Sequence, residues 1–541
     1  MKLSKITPLT IQKYLPHLSV PQVVKPWMRG LFLTLFILFS ALILLLAIRG
    51  ISGNPTSGVI NDLKWTEDGP FELSPDRGRF ALMLSMVENH SFHFSLPIAK
   101  FATPDLGFKN GNFVSLFAPA VSFIIVPGYI IGSLFGLGQV GAFIIIALFA
   151  LANLWLIRAI AIDLGAHPVA ATLGALVFLF ATPAFTYAVT LYQHHISTFT
   201  VLLSLYLLLR TKKLWPLLLV WFLFAASIPI DYPNLFFMAP IALYALGRII
   251  FTENTDEYIR IRLRFLGFLT FVGVLLPILF FFWFNQKSYG NPLQFSGTVS
   301  RVTKLNSDGT VAPDVDQTPD PTQELQPVKD KKSAIGFFRT RALLNGFYIH
   351  FVSPDRGVIV YTPIVLFGIL GIFILYKQRR TILTVLIAII GTNILLYSMW
   401  GDPWGGWAFG SRYLIPTYAI LAILLSLALS HWKRNIVFVS LFLLVLIYSV
   451  SVNTLGAITS SRIPPQVEAV ALEKLSAVHE KFSYDRDLDY LKNNRSKSFI
   501  FQTLAYKYVD AWHYYLMLTA LISITGAGLL GYLAIFTKKN L

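Results

Sequence analysis

Two copies of the pentapeptide SPDRG, at 74–78 and 353–357, set an acid beside a guanidinium at two distant points of the chain. A fixed carboxylate can take a proton from a hydroxyl, and a guanidinium can grip a phosphate through two parallel hydrogen bonds. Asp76 stands where an apolar pattern of period three to four begins (Phe80, Met83, Leu84, Val87), so an amphipathic helix is expected there. At such a helix start the backbone N–H groups favour the ionised acid, which suits a general base; the plainer reading is that Asp76 only caps the helix. In the second copy, Asp355 and Arg356 stand where an apolar run begins.

Other groups carry the same kind of chemistry. TPDLGFKNGNF supplies Asp105 and Lys109 around a KNGN turn. TLYQHHISTF holds His194 and His195, which as neighbours on a helix cannot both face one ion. One of them donating to a phosphate competes with an ordinary histidine satisfied at the water boundary. IPIDYPN places Asp231 at a helix end, where a carboxylate is costly unless paired or hydrated. The densest cluster is WGDPWGGWAFGSRYLIP, with Trp400, Trp404 and Trp407, Gly401, Gly405, Gly406 and Gly410, and then Asp402 and Arg412. An aromatic belt accounts for tryptophans, but not for glycines that let backbone approach a ligand, nor for Arg412 at the mouth of a helix.

These residues need a scaffold, and composition names its class. Of 541 residues, 55% are hydrophobic and 13% charged, where a soluble chain carries about 25% charged; mean hydropathy is +0.63. Apolar runs such as 30–48, 265–284 and 435–450 recur, and lipid admits only helices or closed barrels. The fold class is therefore all-α, a polytopic membrane protein. The run at 30–48 is too long for a signal-peptide core and lacks a cleavage site, so it reads as a retained first helix. No cysteine is present, which removes disulfides and thiol chemistry. The net charge of +17 is explained by basic cytoplasmic loops, and nucleic acid is not expected as a partner.

The basic gaps alternate with the others if about twelve helices span and the Pro- and Gly-rich stretch 117–135 lies at the interface instead. This places both termini in the cytoplasm, in a cell (plasma) membrane protein. The expected organisation is a cytoplasmic segment 1–28; a membrane domain 29–455 with an external loop 51–115, the interfacial helix 117–135 and a flexible external insertion 303–333; an external segment 456–511; and a last helix and tail, 512–541. Within 456–511, Val467, Val470, Leu472, Leu475 and Val478 predict a helix packed on the membrane domain. All the motifs fall on the outer face, so the two SPDRG copies can be two pieces of one polar site.

SPDRGRFALMLSMVENHSF resembles the first external loop of the GT-C superfamily, whose bacterial protein-mannosyltransferase-like and lipid A aminoarabinose transferase-like members open a juxtamembrane helix with Asp-Glu-x-Arg-Tyr-Ala. Asp76, Arg79, Phe80 and Ala81 fit that pattern; Arg77 replaces its second acid. NGNFVSLFAP, SPDRGVIVYTP and WGGWAFGSRYLIP are similar to later motifs of the group, in its order, with Leu116 and Phe117 where a Lys is usual. The resemblance implies GT-C architecture and transfer of a sugar from a polyprenyl-phosphate donor to a lipid, glycan or protein acceptor on the extracytoplasmic face, with inversion. It implies Asp76 as base and Arg412 and His195 as phosphate contacts. Arg356 or Lys109 is expected to assist Arg412, with His194, Asp105, Asp231, Asp355 and Trp407 lining the site. No cofactor is certain, and a divalent cation is left open because no carboxylate spacing is diagnostic. The competing readings are a lipid or glycan transporter, which should carry ionisable groups near mid-membrane, and a polymerase or ligase using the same class of donor.

Overall fold

A computed structural model describes residues 26–66, 69–254, 259–306, 338–476 and 479–536. Most of segment 1–28, expected to be cytoplasmic, and the insertion 303–333 beyond residue 306, lie outside them, as do Glu67 and Asp68. Among the described residues, seven helices are long and apolar enough to cross a membrane: Gly30–Ala47, Gly138–Asp163, Phe265–Tyr289, Arg380–Ser398, Arg412–Trp432, Ile436–Ile458 and Ala511–Phe536. Pro168–Phe180, Trp215–Ser227, Asn234–Leu246 and Pro363–Gln378 are apolar but shorter, and His194–Arg210 adds 17 residues. Together these match the twelve runs read from the sequence. The protein is an all-α, multi-pass membrane protein.

The short helices follow from burial. At 1.5 Å per residue, Pro168–Phe180 covers only about 20 Å. Every residue from 169 to 198 is buried, through the helix, a broken segment containing Pro183, and the start of His194–Arg210. Irregular backbone is tolerated at such depth only where protein covers it. That central stretch carries Tyr187, Tyr192, Gln193 and His194, so polar groups are built into the middle of the bundle.

The Ser74–Glu88 helix is buried continuously from Gly78 to Ser85. The expected solvent-facing side is therefore absent along that stretch, because Phe71, Phe101 and Tyr129 close around Phe80 and Phe143 packs behind Phe71. A Cβ on Gly78 would sit 2.3 Å from the Phe117 ring, so a glycine is what lets residue 117 close over this helix. The KNGN turn is a hairpin, Leu106–Lys109 with Asn112–Ser115. Asn110 and Gly111 both have positive φ, as a tight two-residue turn requires. Ser300–Val302 adds a third strand on the far side of Leu106–Lys109.

Ala120–Ser133 is a 14-residue helix containing Pro127. Its first residue donates to Pro229 O (2.8 Å), and Ser122 Oγ donates to Arg79 O (2.8 Å). At its other end Ser133 O accepts from Asn54 Nδ2 (3.0 Å), and Gly136 O accepts from Gly53 N (2.7 Å). The predicted helix after residue 465 is Gln466–Ser476, but only Ala469 is buried. Val467, Val470, Leu472 and Leu475 stay exposed, so its apolar side is not packed on the rest of the chain. Val478 lies outside the described residues.

Candidate active site

The site begins at Asp76, in the first turn of Ser74–Glu88. It caps nothing: no side chain caps this helix, and neither Asp76 oxygen has a hydrogen-bond partner although the residue is 0% exposed. Burial pushes its carboxyl up to about 8; the charge of Arg79 pulls it down, Glu72 raises it, and Arg49 and Arg412 lower it. The expectation that the helix start would keep it a low-pKa carboxylate is therefore reversed, because desolvation exceeds what the backbone N–H groups supply.

Around Asp76 the cations are spaced by an aromatic ring. The Arg79 guanidinium lies 5.4 Å from the centre of the Tyr192 ring and Arg412 lies 4.8 Å from it. Each has a buried Nε with no partner. Arg79 is aimed by Pro75 O (3.0 Å) and Gln193 Oε1 (2.5 Å), and Gln193 Nε2 in turn donates to Asp231 Oδ2 (2.9 Å). Arg412 donates to Gly405 O (2.7 Å) and stacks over Tyr413 at 5.3 Å. Tyr413 is parallel to Tyr397, with ring centres 4.1 Å apart. Asp76 and Arg79 from one helix, Asp231 and Arg412, drawn from three separate parts of the chain, thus converge around Tyr192 and Gln193.

The two histidines divide. His194 stacks on Tyr192 (5.7 Å, 9° between planes), faces Tyr187 and Tyr413, and has a buried, unpartnered Nε2. His195, expected as the phosphate contact, turns into the bundle. Its Nε2 meets Ala184 O at 2.7 Å, its carbonyl accepts from Asn153 (2.8 Å), and its ring packs on Phe178. Adjacent helix positions face about 100° apart, and only one of the pair can reach the pocket.

Other expected members serve elsewhere. Arg356 is spent on four carbonyls: Asp355 O (2.7 Å), Trp404 O (3.0 Å), Gly406 O (2.9 Å) and Ile463 O (2.9 Å). Asp355 accepts from Ser353 Oγ and from Gln466 N (3.0 Å). Asp105 accepts from Ser74 Oγ (2.5 Å) and pairs with Arg301 (2.9 Å), so it fastens the helix start to Ser300–Val302. Lys109 ends its strand opposite Asn112, and no contact among the described residues joins it to Asp76, Arg79 or Arg412. Trp407 Nε1 donates to Glu468 (2.5 Å), and its ring lies under Arg462 at 5.0 Å and Arg486 at 5.5 Å. Gly405, Gly406 and Gly410 have φ of 72°, 62° and 57°. Their carbonyls and turns serve protein arginines, a use of glycine that differs from approach to a ligand.

A buried strut that the motifs did not announce holds the site in place. Glu72 pairs with Arg49 (2.9 Å) and Lys497 (3.5 Å) and accepts from Ser461 N (2.6 Å), Ser461 Oγ (2.9 Å) and Ser460 Oγ (2.8 Å). Arg49 also donates to Gly456 O (2.5 Å) and Ala457 O (3.1 Å). Burial alone would raise Glu72, but Lys497, Arg49 and these hydrogen bonds outweigh it and hold it at about 2. Tyr192 and Gln193 were missed as well; their signal was polar side chains just before the two histidines in a chain segment otherwise apolar. Among the described residues no three His, Asp or Glu side chains gather as a metal ion would need.

No family model matches the chain, and no curated protein matches it closely. Solved structures similar to it include ArnT from Cupriavidus metallidurans, apo and bound to undecaprenyl phosphate. Both are 15% identical at a TM-score of 0.45, and cover 94% and 93% of this chain and 78% and 77% of their own. Another is the archaeal oligosaccharyltransferase AglB from Archaeoglobus fulgidus, in complex with an inhibitory peptide and a dolichol-phosphate. It is 12% identical at a TM-score of 0.36, over 93% of this chain and 56% of that one. At these identities and scores the likeness carries nothing to the site.

Proposed function

We propose that this chain is an integral membrane glycosyltransferase of the GT-C type, moving a sugar from a polyprenyl-phosphate donor to an acceptor hydroxyl. The observation that carries this reading is the orphaned, buried Asp76 carboxyl within electrostatic reach of two guanidiniums that flank Tyr192 and keep unspent donors. Arg412 and Arg79 hold the phosphate and take up the charge it gains on leaving. Asp76 accepts the hydroxyl proton, the oxygen–C1 bond forms, and the C1–phosphate bond breaks on the opposite face, inverting the sugar. His194 is the third group placed to donate to the phosphate. A base titrating near 8 matches its proton-transfer task close to neutral pH.

The pocket faces the extracytoplasmic side, with both termini cytoplasmic. This is supported by the Ala120–Ser133 helix, both ends of which bond to segments that the charge pattern puts outside. A reporter fused at Leu137 is expected outside the cell, and a cytoplasmic signal overturns the topology. The function is tested by transfer of radiolabelled sugar from polyprenyl-phosphate donors to membrane extracts. Label should move with the wild type and not with Asp76→Asn; near-normal turnover in that variant removes Asp76 as base.

A further inference from the structure

The transfer pocket leaves one group of cations unused. Arg77 follows the base directly, half-buried, with its Nε buried and unpartnered. The carboxylates whose charge it feels are Asp105 and Asp76, and Asp105 is already occupied by Ser74 and Arg301. Arg77 also feels the like charge of Arg462. Arg462 is exposed, lies over the Trp407 ring, and pairs with no carboxylate among the described residues. Arg486, over the same ring, differs in being matched by Glu480 at 2.8 Å.

Two guanidiniums short of anions are held near each other by buried framework. Glu72 accepts from Ser460 Oγ and Ser461 N, and Ser460 Oγ accepts from Arg462 N (3.0 Å). The turn bearing Arg462 is therefore tied to the strut four residues ahead of Asp76. From the other side, Arg356 joins Gly406 O to Ile463 O, and Ala408 N donates to Ile463 O (3.0 Å), which fixes the Trp407 loop beside residue 462. Like charges kept together by a rigid frame repel unless an anion enters between them, and the half-buried Trp407 indole, with Arg462 and Arg486 over its ring, walls one side of them. In an inverting displacement the acceptor enters opposite the departing phosphate. Arg412 is buried and suits the donor's phosphate; Arg462 is open to water, the direction from which a soluble or headgroup acceptor arrives.

From this arrangement we infer that Arg77, Arg462 and the Trp407 ring form an acceptor subsite for an anionic group, a phosphate or carboxylate carried beside the hydroxyl that Asp76 deprotonates. The inference rests on the transferase reading and names the acceptor's chemical class.

The test uses the full chain in nanodiscs of neutral lipid, with glycerol 3-phosphate as soluble probe, glycerol as its uncharged counterpart, and undecaprenyl phosphate at saturation. Glycerol 3-phosphate should bind with undecaprenyl phosphate present, and glycerol should not. Arg77→Gln and Arg462→Gln should each weaken that binding by about ten-fold, the equilibrium worth of one charged hydrogen bond, while Arg77→Lys retains part of it. In labelled transfer the same variants should raise KM for the acceptor with kcat held within about two-fold, as loss of uniform binding predicts. Probe binding that undecaprenyl phosphate displaces, or that Arg412→Gln abolishes and Arg77→Gln spares, puts the anion in the donor pocket and overturns the subsite. So does a wild type that binds undecaprenyl phosphate and transfers sugar but ignores the probe. A wild type that neither binds undecaprenyl phosphate nor transfers sugar overturns the transferase reading, and the subsite falls with it.

Discussion

In the SPDRG copy at 353–357, both charges are met: Asp355 by Ser353 and Gln466, Arg356 by four carbonyls. In the copy at 74–78, neither oxygen of Asp76 has a partner and the Nε of Arg77 is bare. The same five letters therefore make a clasp in one place and leave an acid and a guanidinium without complete bonding in the other. A buried polar group with its bonds complete holds structure together, whereas one left incomplete costs free energy, and a ligand or a reaction is the usual recompense. What separates the copies is their neighbours: aromatic rings surround the first, and open carbonyls of the Trp404–Gly406 turn surround the second.

The largest expected effect separates the two acids. Asp76→Asn should lower transfer by roughly 10²–10⁴, the worth of a positioned base, with no fall in melting temperature at neutral pH. Asp355→Asn should lower the melting temperature and leave transfer per folded molecule nearly intact. Equal losses per folded molecule in both would erase the distinction. The two arginines come next. Arg356→Gln should cost roughly 3 kcal/mol or more of stability, because several buried carbonyls lose their donor together; Arg77→Gln should stay within about 0.5 kcal/mol. Thermal unfolding in one detergent reads both.

The histidine pair repeats the contrast at smaller scale. His195→Ala should lose about 1–3 kcal/mol of stability by stranding its bonded neighbours. His194→Ala should keep its melting temperature and lose about ten-fold in transfer, one charge-assisted contact's worth. Transfer loss confined to His195→Ala would reverse their roles.

The last contrast lies in pH dependence, where the two carboxyls of one loop have opposite signs. With Asp76 at about 8, transfer should climb with pH up to that value as the base loses its proton. Its raised pKa contributes stability that is full below the unfolded value of 3.8 and lost as pH rises through about 8. Glu72, lowered from 4.5 to about 2, contributes stability present above 4.5 and lost as pH falls through about 2. Unfolding curves of Asp76→Asn and Glu72→Gln across this range should each lose one arm, and a curve unchanged in either variant removes that carboxyl from the balance.

Much of the fold was legible in the chain because lipid leaves the backbone few choices. The apolar runs became helices, and KNGN, flanked by Leu106–Lys109 and Phe113, became a hairpin. The short buried helices were less legible, since hydropathy cannot tell a lipid-facing run from one sheathed by protein, as Pro168–Phe180 is. Asp76 and Arg412 could be picked out by residue type and position. His194 and His195 could not be separated, because that depends on the rotation of one helix by a single residue. Arg356 looked like a phosphate contact because its partners are backbone atoms at 404, 406 and 463, which have no sequence signature. Glu72 was passed over for the same reason: its partners, Arg49, Ser461 and Lys497, are recruited from opposite ends of the chain.

Arg49 stands at the end of the first long helix, yet one carbonyl it grips belongs to Ala457, 408 residues later. During synthesis Arg49 and Glu72 can therefore meet each other early, while Gly456, Ala457, Ser460, Ser461 and Lys497, which complete their bonds, have not yet left the ribosome. The pocket cannot be finished until the chain is almost complete. Fragments ending before residue 456 should reach the membrane and still lack a working centre, however many helices they contain.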